Sequence, residues 1–228
     1  TKFGKVRFLT YKEYLTHLPQ LSLISMNNLH IYYYYKKAIT GLSEEDIKSL
    51  EELKNTSLYE IVISTPQFLQ TYIDIFNMLI EFDVDIEITH IFENKDDFMG
   101  IRKLIMDMNV VTEEDVNPNE EIQRSIERSR RVKQHESPKQ TFIDMVTSIV
   151  AGTPHSFEDV YNMNVMQVYA LYARLGAFFN YQTSTLFATV AEKVNIELWN
   201  KHIDLFEKES HSIEHGKFKK TTGSIFDD

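Results

Sequence analysis

The chain has 228 residues, enough for one large domain or two smaller ones, and we read two coupled halves. A hydrophobic content of 43% with only seven glycines and five prolines marks a folded chain, while a formal net charge of −10 argues against general binding to nucleic acid or to anionic membrane. Cysteine is absent, which excludes disulfides, thiolate zinc sites and cysteine nucleophiles.

Taken from the start, KVRFLT reads as a short strand and YKEYLTHL as a helix with Tyr14, Leu15 and Leu18 facing inward. LHIYYYYKKAI fits either a strand, by tyrosine propensity, or a helix whose hydroxyls reach water; packed core with wet phenolic tips is preferred to a ligand platform. GLSEEDIKSLEEL predicts a helix capped by Ser43, with Glu44, Glu45 and Asp46 at the positive end of the helix dipole. SLYEIVIS is short enough to be a turn of helix or a strand. In TPQFLQTYIDIFNMLIEF, Thr65 is the expected cap, Pro66 suits the first helical position, and Phe68, Leu69, Tyr72, Ile73, Phe76, Leu79 and Ile80 form one apolar stripe.

DVDIEITHIF alternates Val84, Ile86 and Ile88 with polar residues, the period of a half-exposed strand that would pair with the first strand or with NVVT near Val110. DDFMGIRKLIMDM places Phe98, Ile101, Leu104, Ile105 and Met108 at helical spacing; its methionines suit an adaptable binding surface, but buried core use is preferred. From Val111 to Gln140 the composition turns polar, and Arg124, Arg128, Arg130, Arg131 and Lys133 interleave with Glu120, Glu121, Glu127 and Glu136. A salt-bridged exposed helix or linker explains that mixture better than a phosphate site.

The stretch from Ser137 to Glu207 reads as four short helices in a compact bundle. Ser137 and Pro138 would start the first, which carries Phe142, Ile143, Val146, Ile149 and Val150 until Gly152 and Pro154 stop it. The second would begin near Asn164 and carry Val165, Val168, Tyr169, Tyr172, Leu175 and Phe179. Thr183 or Thr185 would cap a third with Leu186, Phe187 and Val190, and Asn195 a fourth with Ile196, Trp199, Ile203 and Phe206. The remaining polar residues read as a mobile tail. The expected fold is therefore mainly α: an N-terminal helical region with a small mixed β element over 1–111, a charged helix or linker over 112–137, a C-terminal helical bundle over 138–207 and a polar tail over 208–228.

Few residues suggest chemistry. His211-Ser212-Ile213-Glu214-His215 matches the H-x-x-E-H pattern in which a helix aligns two zinc ligands around a water-activating glutamate, but no histidine follows it, and an exposed polar helix end is the preferred reading. His17, His30, His90, His135, His155 and His202 show no ligand spacing. There is no P-loop, dinucleotide-binding glycine motif, G-x-S-x-G elbow or EF-hand loop. Asn55-Thr56-Ser57 fits a glycosylation acceptor only by coincidence if the chain is not secreted. No apolar run approaches the roughly 20 residues that span a bilayer, and TKFGKVRFLTYKEY lacks the apolar centre of a secretory signal. A cytoplasmic non-enzyme without cofactor or metal is expected.

The progression from Ile143-Asp144-Met145 through Gly152-Thr153-Pro154, Asn162-Met163 and Gln167-Val168-Tyr169 to Trp199 resembles the C-terminal region of helical proteins from tail modules of phages of Gram-positive bacteria, the tail assembly chaperones above all. The resemblance implies a host-cytoplasmic, non-enzymatic protein that binds apolar stretches of the tape-measure protein, keeps them soluble and helps recruit tail-tube subunits, sometimes in a form extended by translational frameshifting. It implies no nucleic-acid or membrane partner. Phe178, Phe179, Tyr181, Trp199 and Phe206 are then the candidate partner-binding residues of a helical groove, with core packing as the competing account of each. Two other roles compete: a permanent virion or connector subunit whose same helices form symmetric interfaces in a homo-oligomer, and a phage-encoded inhibitor that binds a host protein through the tyrosine-rich N-terminal half.

Overall fold

The computed structural model describes residues 1–38, 43–113, 115–136, 141–191 and 194–206, and it is mainly α. Strand β1 (Gly4–Val6) leads into α1 (Tyr11–Ile24), α2 (Asn28–Ala38), α3 (Glu44–Asn55), α4 (Leu58–Ser64) and α5 (Pro66–Leu79). Strand β2 (Ile80–Phe82) follows, then α6 (Thr89–Phe92), α7 (Lys95–Met108), α8 (Glu120–Glu136), α9 (Phe142–Gly152), α10 (Phe157–Asn162) and the long α11 (Val165–Phe187).

Local chemistry sets most of the helix starts. Thr10 with Glu13, Ser57 with Glu60, Thr141 with Asp144, Ser156 with Asp159 and Asn164 with Gln167 form reciprocal capping boxes. Each satisfies two backbone N–H groups that the first helical turn leaves without partners. The bonds from Ser57, Thr141 and Ser156 hold the carboxyls of Glu60, Asp144 and Asp159 below their usual range. Glu13 goes furthest. Its carboxylate takes hydrogen bonds from the Arg7 guanidinium and from the Thr10 backbone, which bring its pKa down to about 2.

The two strands pair antiparallel, with Gly4 opposite Phe82 and Val6 opposite Ile80. Gly4 has φ +146°, and a Cβ there would lie 2.1 Å from the Glu81 carbonyl oxygen, so the close approach of the strands requires glycine. Behind this ladder sits an aromatic cluster in which the Tyr72 and Phe98 rings are 5.0 Å apart and Phe92 lies 5.7 Å from both Phe76 and Phe98. The same contiguous core includes Val146, Ile149, Val160, Val165 and Val168, so the N- and C-terminal halves share one interior.

Helix α1 makes that junction. The Tyr11 N–H donates to the Met163 carbonyl at 2.6 Å, Thr10 bridges Asn164, and the Tyr11 ring stacks on Tyr14 and Tyr161 at 6.0 and 6.5 Å. Proline at position 19 lies inside α1, yet the helix continues to Ile24. An interior proline costs roughly 3 kcal/mol, which complete burial of Leu21 and Ile24 beyond it can offset at about 1.5–3 kcal/mol each. Helix α8 is docked on α2 by Lys36–Glu120 and Lys37–Glu127 ion pairs, with the Tyr32 hydroxyl on Glu120 and the Tyr33 hydroxyl on the Asn117 carbonyl. The tyrosine-rich segment is thus a helix, but the Tyr32 and Tyr33 hydroxyls meet protein acceptors where water was expected, and it is Tyr34 that is exposed. Ser43 immediately precedes α3, and Pro66 occupies the first turn of α5 after Thr65.

Several expected elements differ. The DVDIEITHIF strand is absent: β2 comes earlier, from the end of the α5 stripe, because Asp85 turns the chain at φ 69° and leaves Val84 90% exposed before α6. The first C-terminal helix is capped by Thr141; Ser137 and Pro138 lie outside the described residues. Helix α10, capped by Ser156, was not expected. Thr183 and Thr185 cap nothing. They lie inside α11, where the Thr185 hydroxyl bonds the Tyr181 carbonyl and nothing interrupts the backbone ladder. Asn195 starts no helix either, and residues 194–206 form an extended and turning strap, so the C-terminal bundle is α9, α10 and one long helix.

Two outcomes follow. The Glu13 pKa is lowered on folding from 4.5, so its contribution is complete above about pH 5 and disappears as pH falls toward 2. Glu13→Gln should therefore flatten the acid limb of a stability-versus-pH curve measured by urea titration. The Tyr11 hydroxyl is buried without a partner, and burial pushes its pKa well above the ordinary tyrosine value. Tyr11→Phe should be neutral or stabilising by about 1 kcal/mol, because it removes a desolvated polar group and keeps the stacked ring; a loss of stability in thermal unfolding would contradict this.

Candidate functional site

Helix α7 turns Phe98, Ile101 and Ile105 fully into the core, and the face beside them carries the methionines. Met106 is buried, whereas Met99 and Met108 are half-buried and border an open trough. Met166 at the start of α11, Val111 and Phe206 complete the apolar wall, around a volume of about 1030 Å³. Four thioethers in one trough give a surface that is apolar, polarisable and easily reshaped, since each methionine has three rotatable bonds. The rim is charged: Lys103 pairs with Asp107 at 2.6 Å.

The floor of this trough rests on Arg102, which is only 3% exposed although it is charged. Its Nε donates to the Ile24 carbonyl at 2.9 Å, and Nη2 donates to the Met26 carbonyl at 3.1 Å and pairs with Glu113 at 2.8 Å. A cation at the C-terminal end of α1 meets the carbonyls that the helix leaves without amide partners. The Tyr72 hydroxyl donates to the same Ile24 carbonyl at 3.3 Å, and burial pushes its pKa up to about 12. Asn27 holds the other Glu113 oxygen at 3.1 Å.

The end of α7 is unusual. The Val111 N–H returns to the Met106 carbonyl and the Val110 N–H to that of Asp107, the bond pattern of a Schellman cap. Its left-handed position is filled by Val110, at φ 53°, where glycine is the common choice and a β-branched residue is strained. That strain lies at the rim of the trough.

The five residues expected to form a groove do not converge. Phe178 packs edge-on against Trp199 at 5.5 Å and lies 6.1 Å from Phe179, making a small aromatic cluster on the distal half of α11. Arg174 donates to the carbonyls of Trp199 and Lys201, pinning the strap along the helix. Tyr181 is half-buried outside that cluster, and Phe206 is carried by the strap into the methionine trough. Sequence reasoning missed the trough because it assigned the α7 methionines to the core. The available signal was Arg102 within an otherwise apolar helical face, a charge that needs partners if that face is buried.

A second, smaller concavity of about 490 Å³ lies where α9 meets α11. There a Cβ at Gly152 would come within 2.7 Å of the Leu175 side chain, so glycine permits the close helix crossing. Among the described residues, no cluster of three or more His, Asp or Glu side chains could hold a metal ion, and no helix is long and apolar enough to cross a membrane. The His211–His215 motif and the expected tail lie outside the described residues.

Comparison with known proteins gives two adjacent matches. Residues 1–118 match the YomV N-terminal domain and residues 133–204 the YomV second domain, so the interval between them falls within α8 and the turn before it. Over 214 residues the chain is 30% identical to the SPbeta prophage-derived uncharacterized protein YomV of Bacillus subtilis (strain 168), covering 93% of this chain and 88% of that protein. No solved structure matches significantly.

Arg102→Met keeps the length of the side chain and removes its donors to two buried carbonyls. We expect a loss of about 2 kcal/mol in urea unfolding, because desolvated acceptors are left short of partners while Glu113 turns to water.

Proposed function

Because the chain belongs to the YomV family, whose SPbeta member is prophage-derived, we propose that it is a non-enzymatic phage protein that holds an apolar segment of another phage protein in the methionine trough. The finer reading is a tail assembly chaperone acting in the host cytoplasm, with the tape-measure protein as the segment's source and tail-tube subunits as the proteins recruited to it.

One observation carries the binding mode: the trough of about 1030 Å³ is walled by four methionines, Val111 and Phe206, an apolar surface open to an incoming segment. A segment with apolar anchors would seat them along the methionine wall. Burial of its apolar surface, at roughly 25 cal/mol per Å², supplies the driving force. The methionines can refit to unlike side chains, which suits a long partner with many non-identical apolar stretches. The charged rim and the net charge of −10 keep the free protein soluble. Strain at Val110 beside the trough agrees with a site whose backbone is held for binding rather than for stability.

The test is capture by the tagged full chain from cells in which the phage has been induced, with mass spectrometry of the bound proteins and of purified virions. Met166→Lys places a charge on the half-buried trough wall and should lower recovery roughly tenfold, about 1.4 kcal/mol. Recovery of the tape-measure protein, lost in Met166→Lys, with this chain missing from virions, supports the chaperone. Stable presence in virions would make it a structural subunit, and recovery of a host enzyme would make it an inhibitor. Recovery unchanged by Met166→Lys would remove the trough from the proposal.

A further inference from the structure

The distal half of α11 plays no part in the methionine trough, yet it presents exposed apolar side chains and no charge. From Leu175 to Ala191, seventeen consecutive residues include no Asp, Glu, Lys or Arg, although a quarter of the chain is charged and about four such residues would be expected there. Phe179 is 50% exposed and Leu186 70% exposed. This absence of charge is informative about the occupant. A partner chosen by charge would require fixed charges on this face, whereas two copies that each carry −10 can meet here without setting like charges against each other at the contact.

The order of side chains points the same way. Gly176, Phe179, Thr183 and Leu186 follow the three-four-three spacing that keeps residues on one helical seam, and they alternate small and large. In an antiparallel pair of such helices, Phe179 of each copy faces Thr183 of the other and Gly176 faces Leu186, since both pairs share a midpoint at Tyr181. Every layer then joins one large and one small side chain. A parallel pair would instead stack Phe179 on Phe179 and leave a gap between the two Gly176 positions. Space for the incoming leucine exists: a Cβ at Gly176 meets nothing within 4 Å, and the 490 Å³ concavity bordered by Ser148, Ala151 and Gly152 lies beside it.

We propose that two copies of this chain pair through the distal half of α11, antiparallel about a two-fold axis near Tyr181, with Leu186 of each seated over Gly176 of the other. The interface is isologous, so it closes as a dimer and does not extend into a filament. Its seam from Gly176 to Leu186 is about 15 Å long at 1.5 Å per residue, short enough that dissociation falls in the micromolar range.

The measurement is sedimentation equilibrium of the full chain across the micromolar range, at low and high salt, with three variants. Wild type should dimerise, more tightly at high salt because screening weakens repulsion between like-charged copies. Leu186→Glu should weaken association at least about tenfold by setting a charge in the seam. Gly176→Leu fills open space in the single copy while blocking the incoming leucine, so it should abolish dimers and leave helicity and melting temperature equal or higher. Phe8→Glu, at another exposed aromatic position, should dimerise like wild type. A wild type that stays monomeric, a dimer that survives both Leu186→Glu and Gly176→Leu, or a stripe covered only when a captured phage protein is bound would overturn the pairing.

Discussion

The buried Arg102 guanidinium is the constraint on which the arrangement of helices depends. A cation in an apolar interior persists only if each of its donors meets an acceptor, and here the acceptors come from separate stretches of chain: the carbonyls of Ile24 and Met26 at the end of α1, and the Glu113 carboxylate after α7. Satisfying Arg102 therefore fixes where α1 ends relative to α7, and Tyr72 adds α5 to the same point. The other end of α1 is tied to the start of α11 through Thr10, Tyr11 and Met163. One helix thus carries position from the N-terminal core to the C-terminal bundle.

That geometry explains why the methionine face of α7 remains open. With Phe98, Ile101 and Ile105 committed to the aromatic core, and Arg102 to the end of α1, the adjoining side chains border an open trough together with Met166 at the start of α11. The loop after α7 adds Val111, Thr112 and Glu113 to its lining, and the strap after α11 adds Phe206. The strap is held by Arg174, which donates to the carbonyls of Trp199 and Lys201, and by the edge-on contact between Trp199 and Phe178. The trough is accordingly a surface that the fold builds rigidly from below and covers lightly from above.

Charge is distributed with the same division. Acidic and basic residues concentrate on α8 and its contacts with α2, where ion pairs replace apolar packing, and they are missing from the distal half of α11. Exposed ion pairs contribute little stability, about 0–1 kcal/mol each, so α8 is positioned mainly by tyrosine contacts and by the buried Gln123. Among the described residues, the uncharged end of α11 meets the strap through Phe178 and Trp199 and leaves Phe179 and Leu186 exposed. Family membership fits either an assembly role or a lasting structural one, and the trough and the stripe are apolar surfaces under both readings.

What the sequence by itself determined is local. Helical periodicity and caps within four residues of one another located α5, α7 and the start of α11 at Asn164, and the same capping rule applied to Thr10, Ser57, Thr141 and Ser156 would have placed four more starts. The mainly α fold with a small β element was legible for that reason. The candidate site was not. Phe178, Phe179 and Trp199 do meet, but Phe206 belongs to a different surface, and threonines read as caps sit inside an unbroken helix. Whether Met99 is core or groove, and whether Leu186 is covered or 70% exposed, depends on which distant element arrives against it. A helix start is closed by hydrogen bonds between near neighbours in sequence, whereas burial is decided by partners far along the chain, and only the tertiary structure brings those together.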